Sequence, residues 1–140
     1  MINVYTIFLN SSNPFSMKNE NIVQIKSYAF AIRMVNTYKH LTTTKKEFIL
    51  SKQLLRSGTS IGANIEEAIG GQSDKDFYAK LYIAYKEARE SHYWIRLLTD
   101  TDYLTTKQST SLLADIDELL KIIGSILKTI KENEKIINHT

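Results

Sequence analysis

The sequence predicts an all-α domain, an antiparallel up-down-up-down four-helix bundle. Three observations lead there. Apolar residues recur at steps of three and four through four successive segments, turn or capping residues separate those segments, and the loops between them span only roughly four to six residues. Long helices joined by such short loops lie side by side and antiparallel.

The first segment covers residues 19–40, with Ile22, Ile25, Ala29, Ile32 and Val35 on one face as its expected core stripe. Leu41, Thr42, Thr43 and Thr44 form the turn. The second segment covers residues 45–69 and is expected to bury Phe48, Leu54, Leu55, Ile61, Ile65 and Ala68. It contains the small-residue tract Ser57-Gly58-Thr59-Ser60-Ile61-Gly62-Ala63-Asn64. A glycine inside a helix costs roughly 1 kcal/mol against alanine, so Gly58 and Gly62 predict a close backbone approach. Gly70-Gly71 should end this helix, glycine taking the left-handed C-terminal conformation cheaply.

The third segment opens at Ser73, where Ser-x-x-Asp to Asp76 resembles a capping box and sets acidic groups at the positive end of the helix dipole. Its seam is Phe77, Leu81, Ala84, Ala88, Ser91, Ile95 and Leu98, the alternation of antiparallel bundle packing. Thr105-x-x-Gln108 starts the fourth helix, whose seam Leu112, Ile116, Leu119, Ile123, Ile126 and Ile130 is widened by Leu113, Leu120 and Leu127.

A chain of 140 residues fits one domain and can bury a core without staples. It has no cysteine, which removes disulfides, thiolate metal sites and Cys nucleophiles together. A net charge of +3 permits an anionic partner without demanding one. No apolar run approaches the roughly 20 residues that cross a bilayer, so no membrane role is expected. Val4, Tyr5, Thr6, Ile7, Phe8 and Leu9 are apolar but lack the length and the preceding basic residue of a secretory signal. A cytoplasmic location follows as the expectation. Asn10-Ser11-Ser12-Asn13-Pro14 reads as a breaker, so residues 1–16 are expected to form an appended arm, or to precede a start at Met17, with the bundle in 17–140.

A di-iron carboxylate centre needs Glu-x-x-His pairs facing the bundle interior. Arg89 and Thr37 stand three before His92 and His40, and the pattern fails. Glu66, Glu67, Glu87 and Glu90 read as a solvated cluster. Ser57, Ser60 and Ser91 lack a Gly-x-Ser-x-Gly elbow, and no phosphate-binding glycine loop exists. The expectation is a non-enzymatic protein with no metal and no cofactor.

Tyr78, Tyr82, Tyr85, Tyr93 and Trp94 add aromatics beside the third seam, interleaved with Lys86, Arg89 and Arg96. Such a set suits stacking on bases and neutralising phosphates, suits a subunit interface, and suits plain packing with hydroxyls in water. Lys45, Lys52 and Arg56 form a second basic row at spacings of seven and four, which extends the patch or is an ordinary solvated face.

The run Lys46-Glu47-Phe48-Ile49-Leu50-Ser51-Lys52-Gln53-Leu54-Leu55-Arg56-Ser57, then Thr59 to Ala68, Ser73 with Asp76-Phe77, and Leu81-Tyr82-Ile83-Ala84 through Ala88-Arg89-Glu90 to Tyr93-Trp94 resembles the four-helix-bundle proteins encoded in 23S ribosomal RNA intervening sequences. The family's usual Asn-Ile-Ala-Glu-Gly reads here as Asn64-Ile65-Glu66-Glu67-Ala68, and Gly62 stands where a proline is frequent. That family is similar in fold to the accessory variability protein of diversity-generating retroelements, a ring of five bundles that works with a reverse transcriptase on nucleic acid. The resemblance implies a homo-oligomer, pentameric by that likeness, with RNA, DNA, a reverse transcriptase or a ribonucleoprotein as partner.

The matched residues carry a physical reading of their own. Gln53, Arg56, Ser60, Asn64 and Glu67 follow helical steps and form one polar ridge. Arg56 and Glu67 are expected to make buried or interfacial hydrogen bonds, between subunits or between helices two and three of one subunit. Nucleic-acid or ribonucleoprotein binding by a self-associating bundle is the function the sequence favours. A structural oligomer acting only through protein partners is the alternative.

Overall fold

A computed structural model describes the backbone of residues 14–139 and the side chains of residues 22–139. Within it run four helices, α1 (Pro14–Thr43), α2 (Leu50–Ile69), α3 (Asp74–Asp100) and α4 (Thr106–Asn138). Each packs on its neighbours in sequence and α4 closes back on α1, while among the described residues the diagonal pairs α1/α3 and α2/α4 bring no Cα atoms within 8 Å of each other. That is the expected up-down-up-down bundle. No helix is long and apolar enough to cross a membrane among the described residues.

The seams of α3 and α4 are buried residue for residue as periodicity predicts, from Phe77 to Leu98 and from Leu112 to Ile130, with Leu113 and Leu120 half-buried against them. Both start signals are real. Ser73 Oγ accepts from the Asp76 backbone N–H at 3.1 Å. Thr105 and Gln108 cap each other reciprocally, at 3.1 Å and 2.9 Å.

Helix α1 corrects the sequence reading. Its inward residues are Val23, Ser27, Phe30, Met34 and Leu41, whereas Ile25, Ile32 and Val35 are 63%, 49% and 39% exposed and Ala29 is exposed too. Only Ile22 of the expected stripe is even half-buried. Two apolar stripes run along this helix, and packing selects the one that carries Phe30 and Met34. The helix also begins earlier than expected, at Pro14, a residue tolerated in a first turn where its missing N–H has no intrahelical partner to lose. It ends later, at Thr43, so Leu41 belongs to helix and core. Residues 1–13 of the expected arm lie outside the described residues.

Helix α2 starts at Leu50 rather than at residue 45, and Phe48, expected in the core, is 57% exposed. The buried Glu47 sets that boundary. Its carboxylate accepts the backbone N–H groups of Ile49 (3.1 Å), Leu50 (2.8 Å) and Ser51 (2.7 Å), and the Ser51 hydroxyl donates to the Glu47 carbonyl at 2.8 Å. Burial pushes this carboxyl upward, but the N–H donors outweigh burial and hold it below its ordinary value. Lys46 turns the chain with φ 54, without a glycine or asparagine to announce the bend.

At the far end Gly70 is right-handed, φ −80 and ψ 2, and not left-handed as expected. The helix unwinds through a tighter turn, Gly70 N–H donating to the Glu66 carbonyl and Gly71 N–H to the Ala68 carbonyl.

The tract of small residues is where α1 approaches α2. A Cβ on Gly58 would stand 2.6 Å from Met34 Sδ, and one on Gly62 would stand 3.3 Å from the Ser27 carbonyl oxygen. Between α2 and α3 the seam holds a buried polar contact, Ser91 Oγ to Ser57 Oγ at 2.9 Å. The α1–α4 seam carries ion pairs instead: Lys26 to Glu118 at 2.8 Å, and Arg33 to Asp115, with Arg33 also donating to the Ser111 hydroxyl at 2.7 Å.

Candidate functional site

Helix α3 turns one face to the core and the opposite face to solvent. On that outer face Tyr82, Lys86, Arg89, Tyr93 and Arg96 follow at steps of four and three, and all five are exposed. Fourteen residue steps of helix extend this strip over about 21 Å. Aromatic rings and cations are interleaved along it, and Lys86, Arg89 and Arg96 make no ion pair with a described residue.

The rings are braced from within the subunit. Tyr82 stacks on Tyr78 with centroids 6.2 Å apart, and Tyr93 meets Trp94 edge-on at 5.0 Å. Tyr78 and Trp94 are half-buried against the core, leaving Tyr82 and Tyr93 47% and 49% exposed. Tyr85 is half-buried as well, its Cε2 lying 3.4 Å from where a Cβ would stand on Gly124 of α4. Of the five aromatics picked out by sequence, two face solvent and three support them or pack between helices. Gly124, in the middle of a strong helical pattern, is the one signal in the sequence for the seat that Tyr85 occupies.

Beside the strip, Arg89, His92 and Arg96 share a cleft of 300 Å³ with Asp117 and Leu120 of α4. His92 Nε2 lies 3.5 Å from the Asp117 carboxylate. The cleft therefore carries two arginines and one carboxylate already facing a histidine.

The second basic row does not join this face. Lys45 lies in the loop before α2, so it shares no helix with Lys52 and Arg56, and Lys52 is exposed in the first turn of α2. The Arg56 guanidinium is engaged within the chain: it meets Glu90 and, at 3.4 Å, Glu87, and Nε points at Gln53 Oε1 at 3.5 Å. Its two carboxylate partners come from α3, and the group is half exposed rather than buried. Glu67 pairs with Lys80 of α3 at 3.0 Å, likewise in solvent. Asn64 Nδ2 donates to the Ser60 carbonyl and hydroxyl oxygens at 2.8 and 3.0 Å. The polar ridge of α2 is thus spent on itself and on α3.

A second cleft, of 270 Å³, lies between the end of α1 and the start of α4, lined among others by Arg33, His40, Gln108 and Leu112. His40 Nε2 and Trp94 Nε1 are buried without a hydrogen-bond partner among the described residues. No group of three or more His, Asp or Glu side chains is placed to hold a metal among those residues.

The sequence profile of the 23S rRNA-intervening sequence proteins matches residues 19–125, which takes in α2, α3 and most of α1 and α4. The chain belongs to that family. Among solved structures, a protein of unknown function from the S23 ribosomal protein family of Bacteroides thetaiotaomicron is similar to it. The two share 53% sequence identity and a TM-score of 0.78, over 79% of this chain and 98% of that one. A comparison with curated proteins finds no match. For this intervening-sequence protein the matched region contains every residue of the α3 strip.

Proposed function

We propose that this intervening-sequence protein is a non-enzymatic, self-associating cytoplasmic protein that binds nucleic acid along the outer face of α3. One observation carries the reading: Lys86, Arg89 and Arg96, each free of ion pairs among the described residues, share one exposed face with the rings of Tyr82 and Tyr93. Phosphates are neutralised by the cations and unpaired bases stack on the rings, a combination that tolerates sequence and favours single strands. Arg56 has no part in it, because Glu87 and Glu90 already neutralise its charge.

Titration of a fluorescently labelled single-stranded RNA oligonucleotide, read by anisotropy over a salt series, tests the proposal. Binding that weakens as salt rises, and that fails in the triple variant Lys86→Glu, Arg89→Glu, Arg96→Glu, supports it. Salt-insensitive binding, or binding that the triple variant retains, rejects it.

A second reading, that the protein acts only through protein partners, is favoured by the exposed apolar row Ile25, Tyr28, Ile32 and Val35 on α1. That face is compatible with the α3 strip, because the two belong to helices on opposite corners of the bundle.

A further inference from the structure

Arg89, His92 and Arg96 follow at steps of three and four, so they line one flank of α3, the flank that borders α4. There the surface is concave. These three side chains, with Asp117 and Leu120 of α4, enclose the cleft of 300 Å³. The two arginines start about 10 Å apart along the helix, and neither makes an ion pair with a described residue. The carboxylate of the cleft faces the imidazole, Asp117 lying 3.5 Å from His92 Nε2. Asp115 and Glu118, the neighbouring acids on α4, are turned to α1, onto Arg33 and Lys26. One turn beyond Asp117, Lys121 is exposed and likewise makes no ion pair with a described residue. Three cations therefore stand against one carboxylate around this hollow.

We infer that the cleft takes the terminal phosphate of a nucleic-acid strand, a phosphomonoester at one end of the chain that lies along α3. Strand binding along α3, as in the proposed function, is what this rests on. Charge and shape both select an end. An internal phosphodiester carries a single charge and two free oxygens, and both of its esters continue into sugar. A phosphomonoester carries about −1.5 to −2 at pH 7 and presents three acceptor oxygens. The planar forks of Arg89 and Arg96 suit such a group, because a guanidinium donates two parallel hydrogen bonds where a lysine offers a point charge. A strand crossing the convex outer face of α3 presents its internal phosphates to the rim of the cleft, and only an end is free to enter it. Tyr93 lies between the two arginines in sequence and is exposed on the same face, so it is the ring on which the last base stacks. Lys86 is outside the cleft and meets internal phosphates only.

Three versions of one internally labelled single-stranded RNA test this: a 5′-phosphate with a 3′-hydroxyl, a 5′-hydroxyl with a 3′-phosphate, and hydroxyls at both ends. Anisotropy titrations of the full chain should show an affinity about tenfold higher for one of the phosphorylated strands than for the strand with two hydroxyls, and so name the end that the cleft holds. Lys86→Ala should weaken all three strands by the same factor. Arg96→Ala, at an exposed position where the helical circular dichroism should be kept, should weaken the preferred strand most and bring the three affinities together. Three equal affinities for the wild type, an equal gain from a phosphate at either end, or a preference that Arg96→Ala leaves intact would each overturn the end-binding cleft while strand binding along α3 stands. Failure of all three strands to bind overturns both.

Discussion

Gly58 of α2 lies directly against the Met34 side chain of α1, so close that a Cβ there would stand 2.6 Å from the Met34 sulfur. The missing side chain on one helix is the space that the other helix fills. Met34 is fully buried, so it has nowhere to swing. Gly58→Ala should lower stability by about 1–3 kcal/mol through overpacking, less the roughly 1 kcal/mol that alanine returns in helix propensity. At Gly62 the added Cβ meets the Ser27 carbonyl at 3.3 Å, a distance that a few tenths of an ångström relieve. Gly62→Ala should stay within about 1 kcal/mol of wild type. Thermal melts of the two variants check the ranking, and the reverse order would contradict it.

The Glu47 carboxylate at the start of α2 links stability to pH. Its folded-state pKa is held below the ordinary 4.5, so its contribution is fully present above about that value and is lost as pH falls through the lower folded one. Glu47→Gln should flatten the acid limb of a plot of stability against pH below 4.5. Glu47→Ala, which releases three backbone N–H groups at once, should cost about 1–2 kcal/mol at neutral pH. Urea titrations between pH 3 and 7 decide it, and an acid limb identical in Glu47→Gln and wild type would refute the cap.

Between α2 and α3, Ser91 and Ser57 share a buried hydrogen bond of 2.9 Å. Ser91→Ala alone takes one partner away and should cost about 1 kcal/mol. Replacing both with alanine removes the need for the bond, so the double variant should be more stable than the sum of the singles. An additive cycle would mean that the two hydroxyls are independent.

Arg56 holds α2 to α3 through Glu87 and Glu90 at a half-exposed position. Arg56→Ala should lower stability by less than about 1 kcal/mol, an effect that shrinks as salt rises. It should leave RNA affinity unchanged. A loss of affinity matching that of Arg89→Ala would return Arg56 to the nucleic-acid surface.

The seams of α3 and α4 were legible because each of these helices has one apolar face and a plainly charged remainder. Helix α1 defeated the same reasoning. Ile25, Ile32 and Val35 repeat as regularly as Val23, Phe30 and Met34, and periodicity alone cannot say which stripe meets a neighbour in the same chain. The start of α2 was hidden because the bend at Lys46 uses no turn residue and the cap is a buried glutamate three places before the first helical residue. The glycines did announce a close approach, without naming Met34 or Ser27 as what approaches. In the candidate site, the interleaving of tyrosine and cation on α3 could be read from spacing. The neutralisation of Arg56 could not, because its carboxylates lie 31 and 34 residues away on another helix.

The most direct test of the account is the salt dependence of single-stranded RNA binding by the wild-type chain and by the variant with Lys86, Arg89 and Arg96 all changed to glutamate. Each phosphate contact contributes about −0.7 to the slope of log K against log salt on a single strand, so three cations give roughly −2 for the wild type. The account predicts that slope, and no measurable binding by the variant. Equal affinities and equal slopes for the two proteins would contradict it.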